Sequence, residues 1–427
     1  METQTKENQA KAKRYLVLLK DDKKATIKKA ENELKVALVS SANLNSKNRA
    51  FQVMSGKTGI FYKNLNIAVV DEVPVKTMNM AVNNTKSPII YWEEEKEYRA
   101  YDEFDILGKI KNNTIELQQQ IQELEELLIN KKDDQESNWI SNTWGIGAIN
   151  LSSTNRTGKG VKVCILDTGL YASHPDFNGR SIEGKSFIEG EDWDLDGNGH
   201  GTHCSGTAVG NISSDGKRYG IAKDANIVIG KVLSDSGSGS TSGIVDSIDW
   251  ALELGCKVIS MSLGTPVKVG ENPSLIFERA GEKAIENGCL VIAAAGNDSS
   301  RPNRVRPVSS PANAKSILSV GAVDLSLNVA SFSNAGLNSG TGGRVDLVGP
   351  GVDVFSSYSS HAPGNKLHRR LNGTSMATPH VAGIAALLWE EFPSVAASEI
   401  WLKLEKNAKL LNHLNTKDVG QGMVQVI

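Results

Sequence analysis

Cysteine is scarce in this chain, with four in 427 residues, and none stands in a Cys-x-x-Cys pair. That absence argues against a zinc ribbon or a thioredoxin-type redox motif. Cys164, Cys256 and Cys289 sit in apolar, strand-like runs, as small buried hydrophobes do. All four cysteines read as reduced thiols rather than disulfides, which fits a reducing compartment. Long apolar runs are missing too, and none approaches the ~20 residues of a membrane span. The only apolar run near the N-terminus, residues 15–19, is too short for a signal-peptide core. The expectation is a cytoplasmic protein, or one exported without a classical signal peptide. Neither charge dominates: 47 Lys and Arg face 49 Asp and Glu, for a net charge of -2. No basic footprint for nucleic acid or an anionic membrane is present. Proline is sparse, at 12 against 40 glycines, which predicts many tight turns.

What is present falls into three parts. Residues 14–101 read as a small α+β unit. Strands are expected at 14–20, 36–39, 50–54, 65–70 and 89–92, with a helix over 24–34 placing Ile27, Ala30 and Leu34 on one face. Residues 113–130 carry Leu117, Ile121, Leu124 and Leu128 at helical spacing, with Asn113 and Glu116 able to cap the start. Two heptads are too few for a coiled coil, and the helix is expected to pack on its own chain. Residues 131–138 read as an exposed, charged linker. After about residue 141, apolar β-branched runs alternate with glycine turns and helical segments. Strands are expected at 161–166, 227–233, 258–263, 290–294 and 317–320, with helices at 244–254 and 273–287. This alternation predicts a parallel sheet flanked by helices on both faces, with chemistry at the carboxyl ends of its strands.

Four positions carry the chemistry. Gly373-Thr374-Ser375-Met376-Ala377 is a glycine turn and a hydroxyl leading into an apolar helix. Ser375 is there either a helix cap or a group placed where free N–H donors gather. Asp167 ends an apolar strand. His200 and His203 stand in Asp196-Gly197-Asn198-Gly199-His200-Gly201-Thr202-His203. Without an HExxH glutamate or a nearby third ligand, a general base fits His200 better than a zinc ligand. Asn297 follows the core run 291–295, where its amide either caps a turn or stabilises charge on a carbonyl oxygen. Together they supply a carboxylate, a base, an amide donor and a nucleophile. Asp192, Asp194, Asp196 and Asn198 read either as alternating oxygen donors for a hard cation or as a solvated acidic loop.

In this order the motifs make the chain resemble the subtilisin-like serine proteases, nearest the subtilisin and proteinase K branches. The resemblance implies a serine endopeptidase with Asp167, His200 and Ser375 as its triad and Asn297 in the oxyanion hole. It implies that Ser236, Gly237, Ser238 and Gly239 flank a bound peptide on one side and Ser262, Leu263 and Gly264 on the other. Ser309 lies in the region expected to help form the pocket for the residue before the cut bond (P1). The P1 preference stays open, because Asp298 favours a basic residue while Arg301, Arg304 and Arg306 oppose one. Structural calcium is implied at Asp176, and at Asp346 with the carbonyls of Lys315 and Ile317, and no organic cofactor is implied.

Residues 1–101 resemble the family's inhibitory propeptide, a small ferredoxin-like α+β domain. The domain plan is then a propeptide at 1–101, a helical linker at 102–138 and a catalytic domain at 139–427. Its partners would be protein or peptide substrates and its own propeptide, with neither nucleic acid nor membrane. Self-cleavage is expected after Tyr101, with 131–138 as the second choice. Two alternatives remain: a narrow maturation protease for one partner protein, and a silent binding protein on a protease fold.

Overall fold

The computed structural model describes residues 13–44, 57–101 and 143–426. The strand expected at 50–54, the helix at 113–130 and the linker at 131–138 lie outside the described residues. The chain divides into two compact units, Met1–Lys96 and Glu97–Ile427.

In the first unit, β1 (Arg14–Leu19), β2 (Ala37–Ser40), β3 (Thr58–Tyr62), β4 (Ile67–Asp71) and β5 (Ile89–Glu94) form one sheet in the order β2-β3-β4-β1-β5. Only β2 and β3 run parallel. Alternate residues of β1, namely Tyr15, Val17 and Leu19, join Ala30 and Leu34 of one helix and Met78 and Ala81 of another in a single core. The first helix, Lys24–Leu34, is the one read from the sequence. The second, Val75–Asn83, is not anticipated there. It buries only Met78 and Ala81, too short a stripe to stand out as periodicity.

The second unit opens with a short strand, β6 (Glu97–Ala100). Its main body is a sheet of seven strands: β7 (Lys162–Asp167), β8 (Ile182–Ser186), β9 (Asn226–Lys231), β11 (Val258–Met261), β13 (Leu290–Ala294), β14 (Leu318–Val323) and β15 (Leu347–Pro350). Their order is β15-β14-β13-β11-β7-β9-β8, and every neighbouring pair is parallel. Two short strands, β10 (Ser238–Ser240) and β12 (Leu263–Gly264), lie on either side of β6 in a separate antiparallel sheet. A hairpin of β16 (Val354–Ser357) and β17 (His368–Leu371) completes the strands named here.

The helix Thr374–Glu391 is buried from Thr374 to Trp389 and packs against β11, β13, β14 and β15. A helix with no polar face belongs inside a core. The core joins its Val381, Ile384, Leu387 and Leu388 to Ile165 of β7, Ile292 of β13 and Val320 of β14. The parallel α/β expectation is met. The sequence reading missed β8, β15 and the hairpin, each of five residues or fewer. Asp167 closes β7, and Asn297 follows β13 by three residues, so both stand at the carboxyl end of the sheet.

Candidate active site

The end of β7 and the start of the next helix bring Asp167 and His200 together. His200 Nδ1 lies 2.7 Å from Asp167 Oδ1, and both residues are buried. The Thr168 amide donates to the same carboxylate oxygen at 2.7 Å. Burial pulls the His200 pKa down, but the Asp167 carboxylate beside it outweighs this and holds it well above the ordinary value.

The helix His200–Val209 is set by a buried carboxylate that carries no chemistry of its own. Asp196 Oδ1 accepts from Thr168 Oγ1 (2.9 Å), the Asn198 amide (3.2 Å) and the Gly199 amide (2.8 Å). Its Oδ2 accepts from the Thr202 amide (2.9 Å) and the Thr202 hydroxyl (2.7 Å). Thr168 Oγ1 in turn accepts from the Gly201 amide at 2.8 Å. Asp196 is therefore a cap for this turn and not a cation ligand. Nearby, the buried Lys231 ammonium pairs with Asp235 (2.7 Å) and Glu191 (3.0 Å), which keeps its charge compensated. Asp235 also accepts from the Gly197 amide at 3.1 Å, tying the loop before β10 to the histidine turn.

On the other side, Ser375 heads the long buried helix. Its Oγ donates to the Ser262 carbonyl at 3.1 Å, and the structure does not join it to His200. His200 Nε2 is buried and has no hydrogen-bond partner among the described residues. Asn297 Oδ1 accepts from the Thr374 amide (3.0 Å) and the Thr374 hydroxyl (2.8 Å), which fixes the amide's orientation. Asn297 Nδ2 then donates to the Tyr101 carbonyl at 3.0 Å. A side chain at Gly373 would put its Cβ 2.5 Å from that same oxygen, so only glycine fits there.

The segment ending at Tyr101 lies as an added strand. Residues Arg99, Tyr98 and Glu97 pair with Ser238, Gly239 and Ser240, and the Ala100 amide donates to the Gly237 carbonyl at 3.0 Å. On its other edge, Ala100 and Arg99 pair with Leu263 and Gly264. The Tyr101 ring is buried against Gly264, where a Cβ would lie 2.3 Å from the ring. Among the described residues, the Ser236 hydroxyl meets those of its neighbours Ser234 and Ser238. Ser309 donates to the Asp298 carboxylate at 3.2 Å, and Asn334 Nδ2 donates to the same oxygen at 3.1 Å.

Residues 158–423 match the profile of the subtilase family. The chain belongs to the subtilase family. It is 39% identical over 281 residues to Subtilisin DY of Bacillus licheniformis, covering 66% of this chain and 94% of that protein. To M-protease of Shouchella clausii (strain KSM-K16) it is 38% identical over 346 residues, 80% of this chain and 84% of that protein. To the Major intracellular serine protease of Bacillus subtilis (strain 168) it is 40% identical over 236 residues, 54% of this chain and 69% of that protein. This subtilase is a serine endopeptidase, and no described helix is long and apolar enough to cross a membrane.

The carboxylates at which the resemblance implies calcium have partners within this subtilase. Asp176 Oδ2 accepts from the Tyr219 hydroxyl at 2.6 Å and lies 2.7 Å from His368 Nε2. Asp346 Oδ2 accepts from the Ser319 amide at 2.8 Å, and its Oδ1 is paired with the Arg344 guanidinium. The Lys315 amide donates to Glu278 and the Ile317 amide to the Ala314 carbonyl, bonds that leave their own carbonyls uninvolved. Calcium takes roughly six to eight oxygen ligands. A guanidinium and an imidazole do not supply them, so the residues as arranged do not fit the ion.

Two positioning residues escaped the sequence reading. Thr374 and Asp196 stand inside the quoted motifs, but their partners lie 77 and 28 positions away. A threonine beside the serine and an aspartate before the histidine were the available signals.

Proposed function

We propose that this subtilase is made as a self-inhibited zymogen that cuts its own chain between Tyr101 and Asp102. Residues 1–101 act as propeptide, 102–138 as linker and 139–427 as catalytic domain. The observation that carries the reading is the Asn297 amide donating to the Tyr101 carbonyl. The two-sided strand pairing of the residues before it supports the same reading, because a substrate peptide adds to sheet edges in this way. The M-protease match, at 80% of this chain, is longer than the 158–423 stretch and so takes in residues ahead of it.

In the reaction, the Ser375 hydroxyl turns from the Ser262 carbonyl toward His200 Nε2. Its Oγ bonds to the Tyr101 carbonyl carbon while His200 Nε2 takes the proton. Asp167 stabilises the imidazolium and keeps the ring oriented. Negative charge develops on the Tyr101 oxygen, where Asn297 Nδ2 already donates. The carbon–nitrogen bond then breaks, the proton passes from His200 to the leaving amine, and water hydrolyses the acyl-enzyme.

Purified wild-type protein is expected to lose residues 1–101, and Ser375→Ala to remain intact, with turnover lower by roughly 10⁶-fold. Mass spectrometry of both proteins checks this. A mature wild-type N-terminus elsewhere than Asp102, or a Ser375→Ala protein cut at the same bond, refutes it.

A further inference from the structure

Only some side chains of the cleft-bound segment are read by the protein. Tyr98 and Ala100 are buried, whereas Glu97 and Arg99 are exposed and pair with each other at 2.8 Å. This is the alternation of a strand, with Tyr101 buried after it. Counted back from the bond after Tyr101, Ala100 is the second residue and Tyr98 the fourth, the P4 position.

One contact of Tyr98 is made by its ring and another by its hydroxyl. Its ring meets Phe277 edge-on, with centroids 5.4 Å apart. Its hydroxyl lies 2.9 Å from Ser310 Oγ. Tyr98 is 1% exposed and Ser310 3%. Ser310 is itself fixed: its amide donates to the Thr265 carbonyl at 3.1 Å, and its carbonyl accepts from the Thr265 amide at 2.8 Å. Thr265 directly follows β12, the strand that pairs with the segment. The backbone that carries the Ser310 hydroxyl is therefore tied to the residue that follows the strand pairing with the peptide.

We propose that Ser310 is a specificity residue that reads the hydroxyl of a tyrosine at P4. Substrates with tyrosine at P4 are then preferred over those with phenylalanine there, with an unread side chain at P3. A phenylalanine at P4 fills the same space against Phe277 but leaves the buried Ser310 hydroxyl without this partner. Sites built to bond a substrate hydroxyl discriminate against the analogue lacking it for this reason. The proposal rests on the reading that residues 97–101 occupy the cleft as a substrate does.

The test uses mature wild-type enzyme and two fluorogenic peptides, acetyl-Tyr-Arg-Ala-Tyr and acetyl-Phe-Arg-Ala-Tyr, each with the reporter on the final tyrosyl carbonyl. The tyrosine peptide is expected to be favoured about 10-fold in kcat/KM, the size of one neutral buried hydrogen bond. In Ser310→Ala the ratio falls to about 1, and in Ser310→Thr, which keeps a hydroxyl, it is retained. Equal turnover of the two peptides by wild type, or a ratio that survives Ser310→Ala, overturns the proposal. Failure to release the reporter from either peptide instead overturns the substrate-like reading of Tyr101 beneath it.

Discussion

The His200 side of the site and the Ser375 side differ in how their reacting atoms are fixed. Around His200, the carboxylate of Asp196 gathers five donors and Asp167 meets the imidazole at 2.7 Å. Around Ser375, the amide of Asn297 is equally well set by Thr374, yet the serine hydroxyl rests on the Ser262 carbonyl. The proposed base and the proposed oxyanion donor are thus preorganised, whereas the proposed nucleophile is bonded elsewhere, to the Ser262 carbonyl. Groups that must stabilise developing charge gain from being fixed in advance. A hydroxyl that bonds only during reaction need not be.

Three perturbations sharpen this contrast. Asn297→Leu, which removes the preorganised donor, is expected to lower kcat by roughly 10²–10³-fold with a smaller change in KM. Steady-state kinetics on a peptide substrate checks it, and a loss confined to KM would contradict the role. A smaller loss, on the order of 10-fold in kcat, is expected for Thr374→Val, which removes one hydrogen bond that orients the same amide. The double variant should then be no slower than Asn297→Leu alone, because the threonine acts through the asparagine. Additive losses would show that Thr374 acts otherwise.

The third perturbation is read as a pH shift of the residual activity, because Asp167→Asn itself lowers kcat by roughly 10⁴-fold. His200 must be neutral to accept a proton, and its pKa is held above 6.5 by Asp167. The neutral fraction grows as pH rises, so kcat/KM should climb through a midpoint above 6.5. In Asp167→Asn the residual activity should climb at lower pH, since burial then acts without the compensating carboxylate. A midpoint that stays in place in this variant would show that Asp167 is not the cause.

Much of this was legible in the sequence because the candidate residues sit at the ends of strongly apolar elements. β13 was bounded to the residue at 290–294, and β7 and β9 within a few positions. The helix behind Ser375 was recognisable from its unbroken apolar face. The roles of Asp196 and Thr374 were not legible, because capping partners are chosen by proximity in the fold and leave no periodic trace. The reading of Asp192, Asp194 and Asp196 as oxygen donors shows the same limit. Alternating carboxylates look alike in sequence, whereas only the fold reveals that Asp196 is surrounded by amides. The P1 question was similarly hidden. Asp298 reads in sequence as a free acid for a basic side chain, and the fold adds that Ser309 and Asn334 both donate to its Oδ2.

The four unpaired cysteines supply a means of timing how the protein opens. Cys164, Cys204, Cys256 and Cys289 are all buried, and none forms a disulfide. Burial pushes the thiols of Cys164 and Cys289 well up and that of Cys204 to about 11, so the native protein offers a reagent little thiolate as well as little access. Covalent labelling therefore clocks opening at separate places in the fold. Cys204 reports the histidine helix, and Cys164 reports the centre of the large sheet. A single chain carries its own markers for whether the catalytic turn loosens before the scaffold beneath it.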